Sequence, residues 1–349
     1  MTSVENTVDD IIHIALSPWD LSDSYNRHAA VTIQSILANL GNCKNIVFHI
    51  LYDYNLSSVN PDLCLINRMM YVEFIEKYGG HVIFHHVSVD PQFYEIPAVE
   101  IYTVATLFRL YLPEILPNVN KVIYLDCDMV VNLDICELYS IDIDKYPLAA
   151  VTRGGNFKKL WALFYKNVKI SPELYFNAGL LLMNLEKLRS ENSLVTMSLS
   201  YFSKYPDSPY LDQDFLNWAF QRNYLHLDKK YNVISSEYSC DNLLNECIIH
   251  YESAINKPWK SYSGKVDDYY WKYLSETPWG GNAQLLAKYA RDAPDRQMFI
   301  ASISQWLYRY PIKKQLVILC NLSGILWVSL IMNYFKTLAK ILTALRYFW

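Results

Sequence analysis

Short apolar runs alternate with segments of helical pattern along most of the chain, and this alternation constrains the fold more than any other feature. The apolar runs at 11–16, 45–52 and 81–87 predict strands. Segment 29–40 places apolar residues on one helical face, and segment 60–80 begins near a proline and ends at a glycine pair, so both predict helices. The alternation indicates an α/β fold with a mostly parallel, doubly wound sheet.

The same pattern continues into the middle of the chain. Segment 104–116 predicts a helix that stops at a following proline, and 121–128 predicts a fourth strand. Further strands are predicted at 148–152 and 177–185. In such a sheet, ligands bind beyond the carboxyl ends of the strands. The loop after the first strand and the acidic residues that end the fourth strand both lie at such ends.

Composition agrees with one large folded unit. Of 349 residues, 52% are hydrophobic and 19% are charged, so a sizeable core can form and global disorder is not expected. The formal net charge is −4, and because general nucleic-acid binders are usually basic, we expect no nucleic-acid partner.

The seven cysteines are scattered and include no Cys-x-x-Cys pair, so a zinc site is not indicated and reduced thiols in a reducing compartment are expected. The first residues are acidic and lack an apolar run of signal-peptide length. Both observations favour a cytoplasmic protein.

The last part of the chain differs from the rest. We expect an α/β catalytic domain over 1–280 and a helical extension over 281–349. Segment 315–335 carries no charge, and ~20 apolar residues are enough to cross a bilayer. Segment 336–349 is basic on one helical face and ends in Tyr-Phe-Trp, which favours peripheral attachment to a membrane surface. A true membrane span and ordinary packing on the domain or a dimer partner are the alternatives.

Two carboxylates, Asp126 and Asp128, end the apolar run of the fourth predicted strand. In an extended chain both would point to one face, with Cys127 on the other. Carboxylate oxygens suit Mg²⁺ or Mn²⁺, and such an ion would neutralise a diphosphate. The alternative is a pair of solvated acids that cap a strand.

Three later segments add polar groups of the same kind. Asn177 precedes a strand, where Asn is most often a turn former, and 212–214 reads Asp-Gln-Asp at a helix start, where Asp is a common cap. His250 ends another apolar run, and Lys257 follows it. A lone histidine is usually structural, but a neutral imidazole beside two carboxylates can complete a Mn²⁺ shell.

Taken together, six segments in this order resemble glycosyltransferase family 8, the retaining enzymes that include bacterial lipopolysaccharide galactosyl- and glucosyltransferases. The resemblance runs from about residue 11 to 260. The segments are "HAAVTIQSI", "TLFRLYLPEIL", "VIYLDCDMVV", "FNAGLLLMNL", "LDQDFLNWAF" and "HYESAINKPW".

The resemblance implies a GT-A fold, a UDP-sugar donor and Mn²⁺, with Mg²⁺ as a substitute. It implies that Asp126, Asp128 and His250 bind the metal, that Gln213 lies beneath the anomeric carbon and that Lys257 meets the diphosphate. The donor-binding residues that it implies are Ala15, Asp23, Ser24, Tyr25, Thr106, Arg109, Cys127, Asn177, Asp212 and Lys257.

The expected mechanism follows from the residue at 213. Because an amide is a poor nucleophile, a same-face attack by the acceptor through an oxocarbenium-like state fits better than a double displacement. The departing diphosphate would take the proton of the acceptor. Asp214 is the nearest alternative nucleophile in the sequence.

The chain departs from the family pattern at two places. The nucleotide loop is longer than usual, so Asp20, Asp23 and Ser24 compete for its contacts. The family usually has a glycine soon after the metal histidine, whereas this chain has Glu252 and Ser253 and one extra residue before Lys257. A glutamate near a diphosphate is unfavourable unless it points away.

We therefore expect a hexosyltransferase that uses UDP-glucose or UDP-galactose on the inner face of a membrane. Its acceptor would be a glycan or glycolipid such as a lipopolysaccharide core, with segment 153–174 at the acceptor site or as a surface helix. The altered residues at 252 and 253 motivate the alternative, a non-catalytic relative that binds a sugar nucleotide or scaffolds a membrane complex. A nucleotidyltransferase is disfavoured because no Gly-rich phosphate loop follows the first strand.

Overall fold

The computed structural model describes most of the predicted α/β domain. The residues it describes are 11–18, 25–41, 45–53, 61–153, 168, 170–190, 193–235, 246–252, 257–260 and 265–281. Several predictions fall outside these residues: those on Asp20, Asp23, Ser24 and Ser253, most of segment 153–174, the apolar segment 315–335 and the basic tail 336–349. Within the described residues, no helix is both long and apolar enough to cross a bilayer.

Ten strands of the described residues form two sheets. They are β1 (Ile12–Leu16), β2 (Ile46–Tyr52), β3 (His81–His86), β4 (Lys121–Leu125), β5 (Met129–Val131), β6 (Leu148–Ala150), β7 (Leu180–Asn184), β8 (Leu225–His226), β9 (Val233–Ile234) and β10 (Ile248–His250). The large sheet has the order β3-β2-β1-β4-β7-β6-β8, and the small one the order β5-β10-β9. In the large sheet only β7 runs antiparallel to its neighbours β4 and β6, so the predicted mostly parallel sheet is confirmed.

Helices cover both faces of the large sheet. The α-helices are α1 (Asn26–Ala38), α2 (Pro61–Glu76), α3 (Val99–Tyr102), α4 (Leu112–Ile115), α5 (Ile135–Tyr139), α6 (Leu185–Ser190), α7 (Leu194–Lys204), α8 (Leu211–Phe220) and α9 (Lys265–Ser275). The 3-10 turns are Pro91–Glu95, Val104–Tyr111, Pro172–Leu174, Lys229–Tyr231 and Pro278–Gly280.

Alternating side chains of the strands divide the core in two. Ile14 of β1 packs in the core that contains α1, whereas its neighbour Ala15 packs in the core that contains Phe108 and Phe215 of the opposite layer. The central strand β1 is therefore apolar on both sides, as a doubly wound sheet requires.

The predicted helix at 104–116 is wrong in type. The structure has a 3-10 turn over Val104–Tyr111, followed by the short helix α4. Pro113 lies in the first turn of α4 and has no N–H to donate to the carbonyl of Arg109 four residues earlier. One continuous α-helix therefore cannot form across this segment.

The residues between β4 and β5 form a turn that joins the two sheets. Cys127 and Asp128 form a turn instead of an extended strand, yet the predicted sides hold, because the carboxylates of Asp126 and Asp128 converge while Cys127 packs in the core on the side of α1. The N–H of Asp126 donates to the carbonyl of Gly179 at 2.8 Å, and the N–H of Tyr251 donates to the carbonyl of Asp128 at 2.9 Å. One end of the turn is thus bound to the large sheet and the other to the chain that leaves the small sheet.

The cysteines do not share one state. Cys127 and Cys247 are free and buried, whereas Cys136 is disulfide-bonded. The expectation of reduced thiols therefore does not hold for Cys136.

Candidate active site

The two aspartates of the turn and the histidine at the end of β10 converge on one point. One ligand atom from each of Asp126, Asp128 and His250 lies within 4.8 Å of the other two. Nε2 of His250 is 3.8 Å from Oδ2 of Asp126 and 3.4 Å from Oδ1 of Asp128. The predicted grouping of these three residues is therefore present, although a turn rather than a strand aligns the carboxylates.

The donor atoms of this group fit a divalent ion. Nδ1 of His250 lies 3.0 Å from Oδ1 of Asn232, an acceptor, and a neutral ring that donates through this contact presents the lone pair of Nε2 to a metal ion. Oδ1 of Asp128 is buried and has no hydrogen-bond partner within the described residues. A buried carboxylate oxygen without a donor is costly, and two carboxylates with one imidazole suit Mn²⁺ or Mg²⁺.

Gly179 provides the space that this group occupies. A Cβ at Gly179 would lie 2.3 Å from Cε1 of His250 and 2.8 Å from Oδ2 of Asp126. Both contacts are far below van der Waals distance, so only glycine allows the imidazole and the carboxylate to approach this part of the backbone.

Arg109 forms ion pairs with two carboxylates of the site. It is buried, and its guanidinium bonds Asp126 (Nη2 to Oδ1, 2.8 Å) and Asp212 (Nε to Oδ2, 3.2 Å). It also donates to the carbonyls of Thr106 and Ala178. Burial acts to lower the pKa of Arg109, but the two carboxylates outweigh this and raise it. The residue that was predicted to contact the donor is therefore engaged with protein groups and positions two carboxylates.

Asp212 is a buried carboxylate whose pKa is raised. Burial raises its pKa to about 6; Arg109 opposes this shift, Asp126 adds to it, and a hydrogen bond from Thr106 opposes it. The predicted donor residues Thr106 and Asp212 are thus in contact. Because burial outweighs the cation, the folded protein disfavours the ionised form of Asp212.

Lys257 lies on the other side of Asp128. Its ammonium forms an ion pair with Oδ2 and donates to the carbonyl of Tyr251 at 2.7 Å. Burial acts to lower the pKa of Lys257, but the Asp128 carboxylate outweighs burial and raises it. Burial acts to raise the pKa of Asp128, but Lys257 and His250 hold it well below its usual range. Lys257, which was predicted to bind the diphosphate, therefore neutralises the carboxylate of Asp128.

Asn177 connects the metal-site histidine to Gln213. Its Oδ1 accepts from Asn232 at 2.8 Å and from the N–H of Gly179 at 2.9 Å. Its Nδ2 donates to Oε1 of Gln213 at 3.0 Å and to Oε2 of Glu252 at 3.2 Å. Protein groups thus use all four hydrogen bonds of this amide, so Asn177 positions its neighbours. The donor contact that the resemblance implies for Asn177 is not favoured by this geometry.

Gln213 itself is held in one orientation. Its Oε1 also accepts from the N–H of Ala178 at 3.0 Å, and its Nε2 donates to the hydroxyl of Tyr175 at 3.0 Å.

Asp214 has a structural environment. It is fully buried, and its carboxylate accepts hydrogen bonds from Tyr175, Ser208 and the N–H of Tyr210 at 2.7, 2.7 and 2.9 Å. A carboxylate engaged by three donors has no open face towards an anomeric carbon. The geometry therefore disfavours the interpretation of Asp214 as a nucleophile.

Three residues that were predicted to bind the sugar-nucleotide donor lie at the edges of the cluster of Asp126, Asp128 and His250. Ala15 is buried in β1, and Cys127 is buried in the core on the side of α1. Burial raises the pKa of the Cys127 thiol, so it is protonated and packs as an apolar side chain. Tyr25 precedes α1, and its ring meets Trp259 edge to face with centroids 6.3 Å apart. Tyr25 thus lies close to the segment that carries Lys257.

Glu252 contacts Arg153 and Asn177. Its carboxylate forms an ion pair with Arg153 and accepts the hydrogen bond from Asn177. The glutamate that replaces the usual glycine is thereby compensated by a cation.

Three residues of the site were not predicted from the sequence: Asn232, Gly179 and Tyr175. Asn232 and Tyr175 act through tertiary contacts that leave no local signal. Gly179 had one signal, because it is a glycine directly before an apolar strand, where it indicates a close approach of the backbone.

A mostly parallel sheet with an Asp-x-Asp turn at a strand end is the arrangement of a GT-A glycosyltransferase. The crystal structure of the galactosyltransferase LgtC with donor and acceptor sugar analogues has this fold: it is 24% identical, aligns with a TM-score of 0.63 and covers 76% of this chain and 96% of that one. The model of glycosyl transferase family 8 matches residues 18–263. The chain belongs to this family.

Related proteins align over most of the chain. General stress protein A of Bacillus subtilis is 27% identical over 78% of this chain and 96% of its own length. The lipopolysaccharide 1,3-galactosyltransferase of Salmonella typhimurium is 26% identical over 69% of this chain and 72% of its own length. The chain is thus a glycosyltransferase whose relatives include enzymes of lipopolysaccharide synthesis.

Proposed function

We propose that the protein is a retaining hexosyltransferase that transfers glucose or galactose from a UDP-sugar to a membrane-borne glycan, such as a lipopolysaccharide core. The observation that carries the proposal is the buried Oδ1 of Asp128, which has no hydrogen-bond partner within the described residues and lies 3.4 Å from Nε2 of His250. Family membership and the lipopolysaccharide enzyme among the relatives support the same activity.

Asp126, Asp128 and His250 would hold Mn²⁺ or Mg²⁺. When bound, such an ion supplies positive charge that stabilises the diphosphate as it leaves. Lys257 is a second positive group at the same place. Since a compact ammonium acts as a point charge, it can exchange its bond to Asp128 for a phosphate oxygen without a fixed orientation.

The sugar would be fixed by the residues around Gln213. The family resemblance puts this amide next to the anomeric carbon, and Tyr175 and Asn177 prevent it from rotating. Because Gln213 is a poor nucleophile and Asp214 is engaged by three donors, the acceptor hydroxyl attacks from the face that the diphosphate leaves. The acceptor oxygen forms the new bond to C1, the bond from C1 to the phosphate oxygen breaks, and the diphosphate takes the proton.

The extension at 281–349 would attach the enzyme to the cytoplasmic face of the membrane. Its apolar segment, its basic amphipathic tail and its aromatic end support this proposal. Attachment would bring the active site close to a lipid-linked acceptor.

The decisive experiment is UDP release from a panel of UDP-sugars, with and without Mn²⁺. We expect turnover with UDP-glucose or UDP-galactose that is lost on chelation and restored by Mn²⁺. Tight UDP binding without turnover of any donor would instead identify a non-catalytic relative. Product analysis by NMR would establish whether the anomeric configuration is retained.

A further inference from the structure

Lys257 and Trp259 belong to one tight turn. The N–H of Lys260 donates to the carbonyl of Lys257 at 2.9 Å, so residues 257–260 form a hydrogen-bonded turn with Pro258 and Trp259 at its centre. Proline fixes its own φ and restricts the conformation of the residue before it. The backbone of Lys257 therefore cannot move independently of Trp259.

The indole of Trp259 lies in a cluster of aromatic rings from two helices. It stacks on the imidazole of His28 in α1, with the ring centroids 3.6 Å apart and the ring planes 18° apart. The ring of Tyr270 in α9 lies 5.2 Å away, and the ring of Tyr25, directly before α1, lies 6.3 Å away edge to face. Residues that are distant in the chain thus fix the side chain of Trp259.

His28, the residue on which the indole stacks, is itself held in place. It is buried, and its Nδ1 lies 2.7 Å from the hydroxyl oxygen of Tyr270. Burial lowers the pKa of His28, and the nearby cations of Arg27 and Lys257 lower it further, so the imidazole is neutral at pH 7. The stack therefore consists of two neutral flat rings, one of which is anchored between α1 and α9.

The same indole lies beside the ammonium of Lys257. Nζ of Lys257 is 5.6 Å from the centroid of the indole ring, within the range of a cation–π contact. The ammonium also contacts Asp128 and the carbonyl of Tyr251. Trp259 is thus connected to Lys257 both through the turn of the backbone and through its ring.

We propose that Trp259 is a positioning residue for the donor: stacked on His28, it holds Lys257 at the place where the diphosphate binds. Tyr25, another residue implied to bind the donor, contacts the same indole, so the stack connects two donor-binding groups. This inference rests on the proposed function, because it requires Lys257 to bind a diphosphate.

The test is UDP binding by the full chain, measured by calorimetry with Mn²⁺ present. Trp259→Ala should weaken UDP binding by about tenfold, because the ammonium is no longer held where the diphosphate binds. Trp259→Phe should restore most of the affinity, since phenylalanine keeps a flat ring on His28. In a Lys257→Met background, Trp259→Ala should cause little further loss, because Trp259 acts through the lysine. A merely structural role would give the same loss in both backgrounds.

Trp279→Ala is the matched control, because Trp279 is also a half-buried tryptophan that packs on an aromatic ring. Its ring centroid lies 4.8 Å from that of Tyr71, and its Nε1 donates to Asn67 at 2.9 Å. This variant should lose thermal stability but bind UDP as the wild type does.

Equal UDP affinity of the wild type and Trp259→Ala, or an equal loss with and without Lys257, would overturn the inference. Failure of the proposed function alone is a different result: UDP binds as described, but no UDP-sugar is turned over. A wild-type protein that does not bind UDP would overturn both.

Discussion

Lys257 forms a buried ion pair with Asp128, although the two residues lie 129 positions apart in the chain. One oxygen of the carboxylate holds the ammonium, and the other faces Nε2 of His250 at 3.4 Å. Lys257, which is proposed to bind the diphosphate, therefore interacts electrostatically with the proposed metal ligands. A substitution at one of these residues changes the electrostatic environment of the others.

Asp128→Asn should both destabilise the protein and abolish Mn²⁺ binding. It leaves the buried ammonium of Lys257 without its carboxylate, and loss of one partner of a buried pair costs about 3–5 kcal/mol of unfolding free energy. The double variant Asp128→Asn/Lys257→Met should recover much of the stability but not the Mn²⁺ binding. Urea unfolding and calorimetry measure the two effects.

Asp144→Asn, at an exposed aspartate, is the control for that pair of variants. It should match the wild type in both measurements. If Asp128→Asn binds Mn²⁺ with wild-type affinity, the metal site is elsewhere.

Gly179→Ala should weaken metal binding without a loss of the fold. The new methyl group would lie 2.3 Å from the imidazole of His250, so the ring must move away from the carboxylates. Disturbing the orientation of a metal ligand typically costs about 10- to 100-fold in affinity. Gly281→Ala is the control, because its methyl group would meet no atom within 4 Å. Equal Mn²⁺ affinities for the two variants would contradict the role assigned to Gly179.

Asp212 should make the protein less stable as the pH rises. Its pKa is raised from 3.8 to about 6 in the folded state, so between these values the folded protein binds more protons than the unfolded chain. The unfolding free energy of the wild type relative to Asp212→Asn should therefore fall by roughly 2.4 kcal/mol between pH 4 and pH 7. Urea unfolding of both proteins across this range measures the difference. A constant difference across the range would show that Asp212 titrates normally.

Asp214→Asn should reduce stability but retain UDP-sugar turnover. The amide replaces an oxygen that accepts a hydrogen bond, so about 1–3 kcal/mol of unfolding free energy is lost. UDP release per folded molecule should stay within about tenfold of the wild type, whereas loss of a nucleophile removes activity by several orders of magnitude. Complete inactivity of folded Asp214→Asn would restore the double-displacement mechanism.

Removal of residues 315–349 should release the enzyme from membranes with donor hydrolysis intact. Sedimentation with vesicles measures attachment, and UDP release measures the activity. Reversal of charge at Lys336 and Lys340 is the finer test: it should weaken binding to anionic vesicles and leave binding to neutral ones unchanged. Co-sedimentation of the truncated protein would refute the anchor.

The strands were predictable because each apolar run is short and bounded by polar residues. The run at 45–52 is strand Ile46–Tyr52, and the run at 81–87 is strand His81–His86. The helix type of segment 104–116 was not predictable, because its apolar spacing fits an α-helix as well as a 3-10 turn over Val104–Tyr111 followed by a short helix. Pairing across the two sheets is a tertiary property that no local pattern contains.

The site was predictable where residue type alone limits the chemistry. Asp126, Asp128 and His250 are metal-binding types in an ordered set of segments, and they converge. The roles of Arg109 and Asn177 were not predictable. The sequence does not distinguish an arginine or asparagine that contacts a ligand from one whose hydrogen bonds are all made to protein groups. The pairing of Arg153 with Glu252 spans 99 positions and depends on how the two sheets meet.

The three-residue turn from Asp126 to Asp128 also limits how this enzyme can diverge. The chain leaves the large sheet at Leu125 and enters the small sheet at Met129, so the length of this link sets the distance between the sheets at the site. Loops elsewhere tolerate inserted residues, but one residue added here would shift a carboxylate out of register with His250. New substrate preferences in relatives of this protein should therefore arise from loops that differ in length, while this link keeps its length.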